Sequence, residues 1–333
     1  MDNKILFVID KIEVKYFEFN KLITDFWLIK EFLERNFEVA VTTADRLCLD
    51  NSKAFCKCSK VILKENNIFL DKIWQKQQIQ DFTLVMFRPD PPVDLDYINS
   101  TYIFDFVDRQ KTLIINDTKA IRDFNEKLHA NTFFEFMPEN LVTSNKEDIL
   151  EFLEKHDQII LKPLNKCFGV GVMYLKKGDK NINSIINSMT NNQTALTMVQ
   201  EYISNANYGD KRILTLGKEV LDECVVKLPG NNDFKFNTHS DEYIKKATLT
   251  EGEKIKFQKV AKKLNEMGVF MAGLDVIDEK IIEINVTSPC YFIKEINNYF
   301  SISLEKKIVD FLVSCLNKKN NELTLSLANK NSL

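Results

Sequence analysis

The chain reads as an α/β protein, and three features of its 333 residues carry that reading. Strand and helix alternate over the N-terminal part. A pair of glycines sits between two apolar strands near the middle, and an apolar hairpin carrying acids lies near the C-terminus.

The alternation comes first. Ile5-Leu-Phe-Val-Ile9 is a short apolar run, and from Phe19 to Asn36 the residues Leu22, Ile23, Phe26, Trp27, Phe32 and Leu33 recur at helical spacing. Glu38 to Thr43 returns as a strand, and Thr83-Leu-Val-Met-Phe87 and Thr112-Leu-Ile-Ile115 follow, with a helix from Leu95 to Val107 between them. The pattern predicts a parallel sheet flanked by helices over about the first 120 residues. Such sheets bind ligands at the carboxyl ends of their strands. Arg88-Pro-Asp-Pro-Pro92 follows one of those ends, so Arg88 and Asp90 read either as contacts to a polar substrate or as an ion pair in a surface turn.

Of nine glycines none precedes residue 169, and two fall in Pro163-Leu-Asn-Lys-Cys-Phe-Gly-Val-Gly-Val172, between the strands Gln158–Lys162 and Val172–Leu175. Gly169 and Gly171 fit a hairpin turn or a flap whose backbone N–H groups face phosphate oxygens. Lys162 favours the flap, because an ammonium closing an apolar strand is costly without an anionic partner. A second lysine, Lys127, sits in Arg122-Asp-Phe-Asn-Glu-Lys-Leu-His129, and Val199-Gln-Glu-Tyr-Ile203 reads as a strand running into a connection.

The hairpin is Gly273 to Pro289. β-Branched runs flank Asp278-Glu279-Lys280, and a three-residue turn there sets Ile277 against Ile281 and Asp275 against Glu283, with Asn285 on the same face. Two carboxylates so placed repel unless a cation lies between them or one is protonated. Their hard oxygens suit magnesium. An ordinary hairpin with acids facing water is the alternative.

Composition excludes other classes. With 44% hydrophobic and 28% charged residues, a net charge of −3 and a pI of about 5.8, the chain has no basic stripe for nucleic acid. No apolar run reaches membrane-spanning length and Met-Asp-Asn-Lys lacks a signal-peptide pattern, so the expected location is the cytoplasm. Seven scattered cysteines fit a reducing compartment, and Cys56-Lys-Cys58 alone is spaced closely enough to suggest zinc, weakly.

Several segments, taken in order, resemble one known family. Arg88-Pro-Asp-Pro-Pro92, Ser100-Thr-Tyr-Ile103, Leu113-Ile-Ile-Asn116, Arg122-Asp-x-Asn-Glu-Lys-Leu128, Ile159-Ile-Leu-Lys-Pro-Leu164, Gly209-Asp-Lys-Arg212, Gly273-Leu-Asp275 and Glu283-Ile-Asn-Val-Thr-Ser-Pro289 are similar to the ATP-grasp ligases, within them to glutathione synthetases of the bacterial type. The resemblance runs collinearly from about residue 80 to 316, and more loosely before that. It implies a pre-ATP-grasp α/β domain over 1–124, two α+β lobes over 125–203 and 204–317, and a polar tail over 318–333. It implies that Lys127 and Lys162 hold ATP phosphates under the loop of Gly169 and Gly171, that Gln200, Glu201, Tyr202 and Ile203 clasp adenine, and that Asp275, Glu283 and Asn285 bind Mg2+, with Mn2+ as a substitute. Arg212 would support the transferring phosphoryl group, and Arg88, Asp90, Lys235, Asn237, Ser288 and Lys294 would contact substrate. The implied reaction activates γ-glutamylcysteine as an acyl phosphate that glycine attacks, in a homo-oligomeric enzyme.

The chain also departs from the family pattern. Asn165, Lys166 and Phe168 replace small or acidic loop residues. Lys235-Phe-Asn237-Thr-His-Ser-Asp-Glu242 stands where an Arg-Gly-Asn segment and a flexible glycine loop are usual, and Lys294 replaces an arginine. Lysine does not reproduce arginine's bidentate grip on a carboxylate. Alternatives to glutathione synthesis are therefore a ligase of the same type with another acid or amine, and a nucleotide-binding protein without turnover.

Overall fold

The computed structural model describes residues 3–330 except 20, 21, 168 and 231–240. Its first sheet contains β1 (Lys4–Ile9), β2 (Glu38–Thr43), β3 (Leu47–Asp50), β4 (Lys53–Lys64), β5 (Asn67–Leu70), β6 (Gln75–Gln78), β7 (Leu84–Phe87) and β8 (Leu113–Ile115). β2, β1, β7 and β8 run parallel in that order. From Ile5 to Ile9 every residue is buried, as a strand covered on both faces requires. The cover comes from α1 (Lys11–Tyr16), α2 (Thr24–Glu34), α3 (Leu95–Tyr102) and α4 (Thr118–Asp123).

Two expected helices are shorter than their periodicity suggests. Ile23 is extended, so α2 starts at Thr24, and α3 tightens after Tyr102 into a 3₁₀ turn over Ile103–Phe106. The antiparallel addition β3 to β6 carries no such signal. β4 pairs with β2, β3, β5 and β6 in turn. Its alternation puts Cys56 and Cys58 together on the buried face, and no third ligand gathers there: among the described residues no group of three His, Cys, Asp or Glu is placed to hold a metal. The CxC pair is core.

A second sheet follows, of β9 (Asn140–Thr143), β10 (Gln158–Pro163), β11 (Met173–Lys176) and β12 (Thr197–Glu201), all antiparallel in the order β11-β10-β12-β9. α5 (Lys146–His156) and α6 (Ile182–Met189) cover it, and Ile149, Leu153, Ile159, Leu161, Ile186 and Val199 make its separate core. The third sheet contains β13 (Asp210–Leu216), β14 (Glu219–Val220), β15 (Glu223–Lys227), β16 (Ile244–Thr248), β17 (Met271–Ile277) and β18 (Lys280–Asn285). α7 (Glu251–Glu266) starts in a capping box between Thr250 and Glu253.

α8 (Ile293–Phe300) and α9 (Leu304–Lys330) then return to the first sheet, where α9 packs on α2. Leu304, Ile308, Leu312 and Leu316, one helical turn apart, are buried in a core shared with Phe7, Phe26 and Phe32. The stretch from 318 was expected to be a polar tail. Through Lys330 it continues α9, since no glycine or proline interrupts it. Among the described residues no helix is long and apolar enough to cross a membrane.

Candidate active site

The hairpin β17–β18 pairs Asp275 with Glu283 and Gly273 with Asn285. The predicted pairing is correct, but the turn is not the one expected. Ile277 faces Lys280 across a two-residue turn, Asp278-Glu279, in which both residues have positive φ, and a bulge beside Val276 restores the register. The two carboxylates are answered by the protein's own cations. Arg212 on β13 grips Asp275 through Nε at 2.6 Å and Nη2 at 3.2 Å. Lys227 at the end of β15 reaches Asp275 at 2.8 Å and Asp210 at 2.6 Å. Lys127 reaches Glu283 at 2.9 Å and the Lys166 carbonyl at 2.6 Å. Burial works against the Asp275 charge, yet Arg212 and Lys227 hold its carboxyl well below the usual range. Asp210 is pushed up to about 6 by burial and by the Asp275 charge, against the pull of Lys227.

Room for Arg212 comes from Gly273. A Cβ there would lie 3.0 Å from Arg212 Cδ and 3.1 Å from Nη1. This is a close approach that only glycine permits without a shift.

All these groups line one cavity of about 510 Å3, bounded also by Arg88, Asp90, Lys162, Gly169, Gln200, Glu201, Tyr202, Ile203, Glu283, Asn285 and Ser288. Lys162 is buried, and among the described residues its Nζ donates only to the Ile282 carbonyl, at 3.2 Å. Burial pulls its pKa down to about 8, with nearby Lys127 opposing the help from Glu283. On Lys127 burial is outweighed by Glu283, and its pKa is raised. At the far side Gln200 buries an Nε2 that has no partner among the described residues, beside the apolar Ile160, Val172 and Ile282. Glu201 is held by Lys280 at 2.6 Å.

At the carboxyl ends of β1 and β7, Arg88 is fully buried against Asp25 and donates to the Pro289 carbonyl at 3.1 Å. Asp90 accepts from the Ser288 hydroxyl and its backbone N–H donates to Asp10 at 2.6 Å. The ion-pair reading of Arg88-Pro-Asp is thus half right: the pair is formed with Asp25, and it is buried at a cavity wall.

Other predicted residues stand apart. Gly171, with φ of 75°, packs on Pro163 behind the lining residues Val170 and Val172. Lys294 does not reach the cavity: the left-handed Phe292 turns Phe292 and Ile293 into the core and leaves Lys294 exposed on α8. Lys235 and Asn237 lie outside the described residues.

Two residues of the matched motifs, Asn116 and Glu126, turn out to hold the hairpin in place, and a third, Asn125, folds the turn that carries Lys127. Asn116 accepts from the backbone of Phe270 and Met271, both at 2.8 Å, and donates to the carbonyls of Met271 and Val286, both at 2.7 Å. Asn125 accepts from the N–H groups of Lys127 and Leu128. Glu126 accepts from Val286 at 2.7 Å and Thr287 at 3.0 Å. Sequence reading missed Lys227 and Asp210. The signal for Lys227 was the one used for Lys162, a lysine closing an apolar strand, here Cys224-Val-Val-Lys227.

The donor set fits a hard cation at Glu283 and Asn285 best. Asp275 already accepts from Arg212 twice, from Lys227 and from Asn285 Nδ2 at 3.1 Å, which uses the acceptor capacity of a carboxylate. The amide nitrogen of Asn285 is committed to Asp275 and Gly273, so its oxygen is left to serve as a ligand.

Comparison with known proteins identifies the family. The family model for the prokaryotic glutathione synthetase N-terminal domain matches residues 4–122, and that for the ATP-grasp domain matches 126–301. The chain is 35% identical over 289 residues to a glutathione synthetase of Vibrio parahaemolyticus, covering 86% of this chain and 91% of that one. It is 32% identical over 301 residues to one from Escherichia coli, covering 89% and 94%. Among solved structures a D-cycloserine synthetase superposes with a TM-score of 0.66 at 11% identity, over 94% of this chain and 99% of that one, which establishes the fold. The chain belongs to the prokaryotic glutathione synthetase family of ATP-grasp enzymes, which are ATP-dependent ligases that form a peptide bond.

Proposed function

We propose that the chain makes glutathione by joining γ-glutamylcysteine to glycine with cleavage of ATP. The observation that carries this reading is that a single cavity gathers Lys127, Lys162 and Arg212 from three separate segments around the oxygens of Glu283 and Asn285. Lys162, buried and without a carboxylate partner among the described residues, is the cation an ATP phosphate would complete. Lys127 and Gly169 flank the same space, and Arg212, fixed by Asp275 and the Cys290 carbonyl at 3.2 Å, presents a rigid guanidinium where a phosphoryl group transfers to the substrate carboxylate. The adenine lies against Ile160 and Ile282, with Gln200, Glu201, Tyr202 and Ile203 at its edge. Mg2+, or Mn2+ in its place, would be held by Glu283 and Asn285 and neutralise phosphate charge; Asp275 would join only by releasing a hydrogen bond. Arg88, Asp90 and Ser288 form the substrate wall, and Lys235 and Asn237 remain substrate contacts by resemblance.

The divisions near 124 and 203, residence in the cytoplasm and self-association belong to the same reading. ADP release measured with γ-glutamylcysteine and single amino acids tests it. Glycine should give the fastest release and no amino acid alone should suffice. Faster release with another amine would overturn it.

A further inference from the structure

A second cavity, of about 690 Å3, lies away from the active site between β8, the turn after β13 and α9. Its charged lining residues are the cations Arg109, Lys218, Lys318 and Lys319 and the acids Asp117 and Glu219. Lys319 is the informative one. Its Nζ is buried and has no hydrogen-bond partner among the described residues. Arg109 stands near enough to repel it, while Asp108 attracts it. Arg109, about a third exposed, is answered by Thr118 at 2.9 Å, by Asp117 at 3.6 Å and by the Asp105 charge, which do not outweigh its burial. Burial pulls Lys319 down to about 8, and the Arg109 charge acts in the same direction.

Two like charges brought together in a sheltered space without a shared acceptor are unfavourable, and an oxyanion between them removes both penalties. The lining is otherwise largely apolar, with Leu113, Ile114, Phe270 and Phe311. At this volume the space suits an organic molecule rather than a bare ion. We propose that this cavity binds a small organic oxyanion, a phosphate or carboxylate group on an apolar or ring-bearing body, with the anionic group between Lys319 and Arg109 and the body against Phe270 and Phe311.

The position gives such a ligand a consequence. Phe270 immediately precedes β17, and its backbone N–H donates to Asn116, the side chain that ties the hairpin to the end of β8. A molecule seated here presses on one end of the strand whose other end carries Asp275, and clamps α9 against the first sheet.

The test titrates inorganic phosphate, phenyl phosphate, benzoate and succinate into the full chain and its variants by calorimetry. Lys319→Met should lose the binding component by roughly tenfold or more, with an unchanged or higher melting temperature because an unanswered buried charge is gone. Phenyl phosphate should bind about tenfold tighter than inorganic phosphate, through burial of its ring. Benzoate against succinate reads the same preference for a carboxylate source, and the tighter of phenyl phosphate and benzoate names the head group. Arg109→Met, outside α9, should show the same loss and serves if Lys319→Met fails to fold. Isotherms indistinguishable between wild type and both variants, or equal affinity for phosphate and phenyl phosphate, would overturn the proposal. None of these outcomes depends on which amine the active site accepts.

Discussion

At the hairpin end of the active-site cavity Arg212, Lys227 and Lys127 answer Asp275, Asp210 and Glu283, and Lys162 is left over. At the opposite end Arg88 is paired with Asp25 while Glu13 and Asp90 also line the wall, with Asp10 behind them. Both ends are buried, so charge left unanswered shows as a displaced pKa. Burial lowers Lys162 at one end. At the other, burial raises Glu13, Asp25, Asp90 and Asp10, with neighbouring acids adding to the rise at Glu13, Asp25 and Asp10, and Arg88 opposing it at Glu13, Asp25 and Asp90. Lys162 is thus short of an anion at an end where Asp210 is also raised by burial and the Asp275 charge, and the acids of the other end are short of a cation. A ligand set that carries phosphates at one side and ammonium groups at the other corrects both, which fits ATP facing amino-acid substrates.

The largest expected effect breaks the cation surplus from the acid side. Glu283→Gln removes a carboxylate that answers Lys127 and that we assign to the metal, so turnover should fall by about a hundredfold or more. Glu283 is about one-fifth exposed, so the fold should survive, as a melting curve would show. Near-normal turnover at saturating magnesium would sink the metal assignment and with it the contrast between the ends.

Next is the surplus itself. Lys162→Met keeps the stem packed on β10 and deletes the charge. ATP affinity should drop at least about tenfold, while the ligand-free protein should gain up to about 3 kcal/mol near pH 7. The pH dependence has a definite sign. The folded-state pKa of about 8 lies below that of an ordinary ammonium, so the unfolded chain binds more protons between the two values. The cost is fully present below about pH 8 and fades as pH rises toward about 10.5, so the variant's advantage should shrink over that window. ATP affinity of the wild type should weaken as pH rises through about 8, because binding must then recharge the lysine. Equal ATP affinity in the variant would place Lys162 outside the site.

A smaller effect tests whether Arg212 must lie flat on β17. The Cβ of Gly273→Ala would push the guanidinium by a few tenths of an ångström, and kcat should fall by roughly tenfold with little change in KM for ATP. An unchanged kcat would mean that Arg212 positions Asp275 and does not meet the reacting group.

How much of this was legible follows the physics of each region. The parallel strands read clearly because a strand buried on both faces is continuously apolar, as from Ile5 to Ile9. The strands from Leu47 to Gln78 did not, since half of each faces water and turn residues such as Asn51 and Asn66 carry the pattern. The Asp275–Glu283 pairing was readable from alternation, but its two-residue turn and its bulge were not, because two register errors of opposite sense cancel. What periodicity does not reveal is which acids share a wall after folding. Asp25 on α2 meets Arg88 on another element, 63 residues away, and Glu13 on α1 lines the same wall.

That wall supplies the smallest prediction. Glu13 is buried, its carboxyl accepts the Asp10 N–H at 3.2 Å, and burial together with Asp25 raises its pKa well above the usual carboxylate range. A raised folded-state value means that the folded chain holds this proton more tightly than the unfolded one. The associated stability is present at acid pH and is lost as pH rises through the folded value. Glu13→Gln keeps the acceptor for Asp10 and removes the charge, so at neutral pH the ligand-free variant should melt about 2 °C higher, for a gain near 1 kcal/mol, and the difference should vanish on acidification. If the acid surplus exists to meet substrate ammonium groups, the same variant should raise KM for γ-glutamylcysteine or glycine by a few-fold and leave KM for ATP alone, since we assign the phosphates to the other end. A variant that moves neither melting temperature nor any KM would show that the acids are neutralised within the fold, and the two ends of the cavity would then differ in sequence without differing in function.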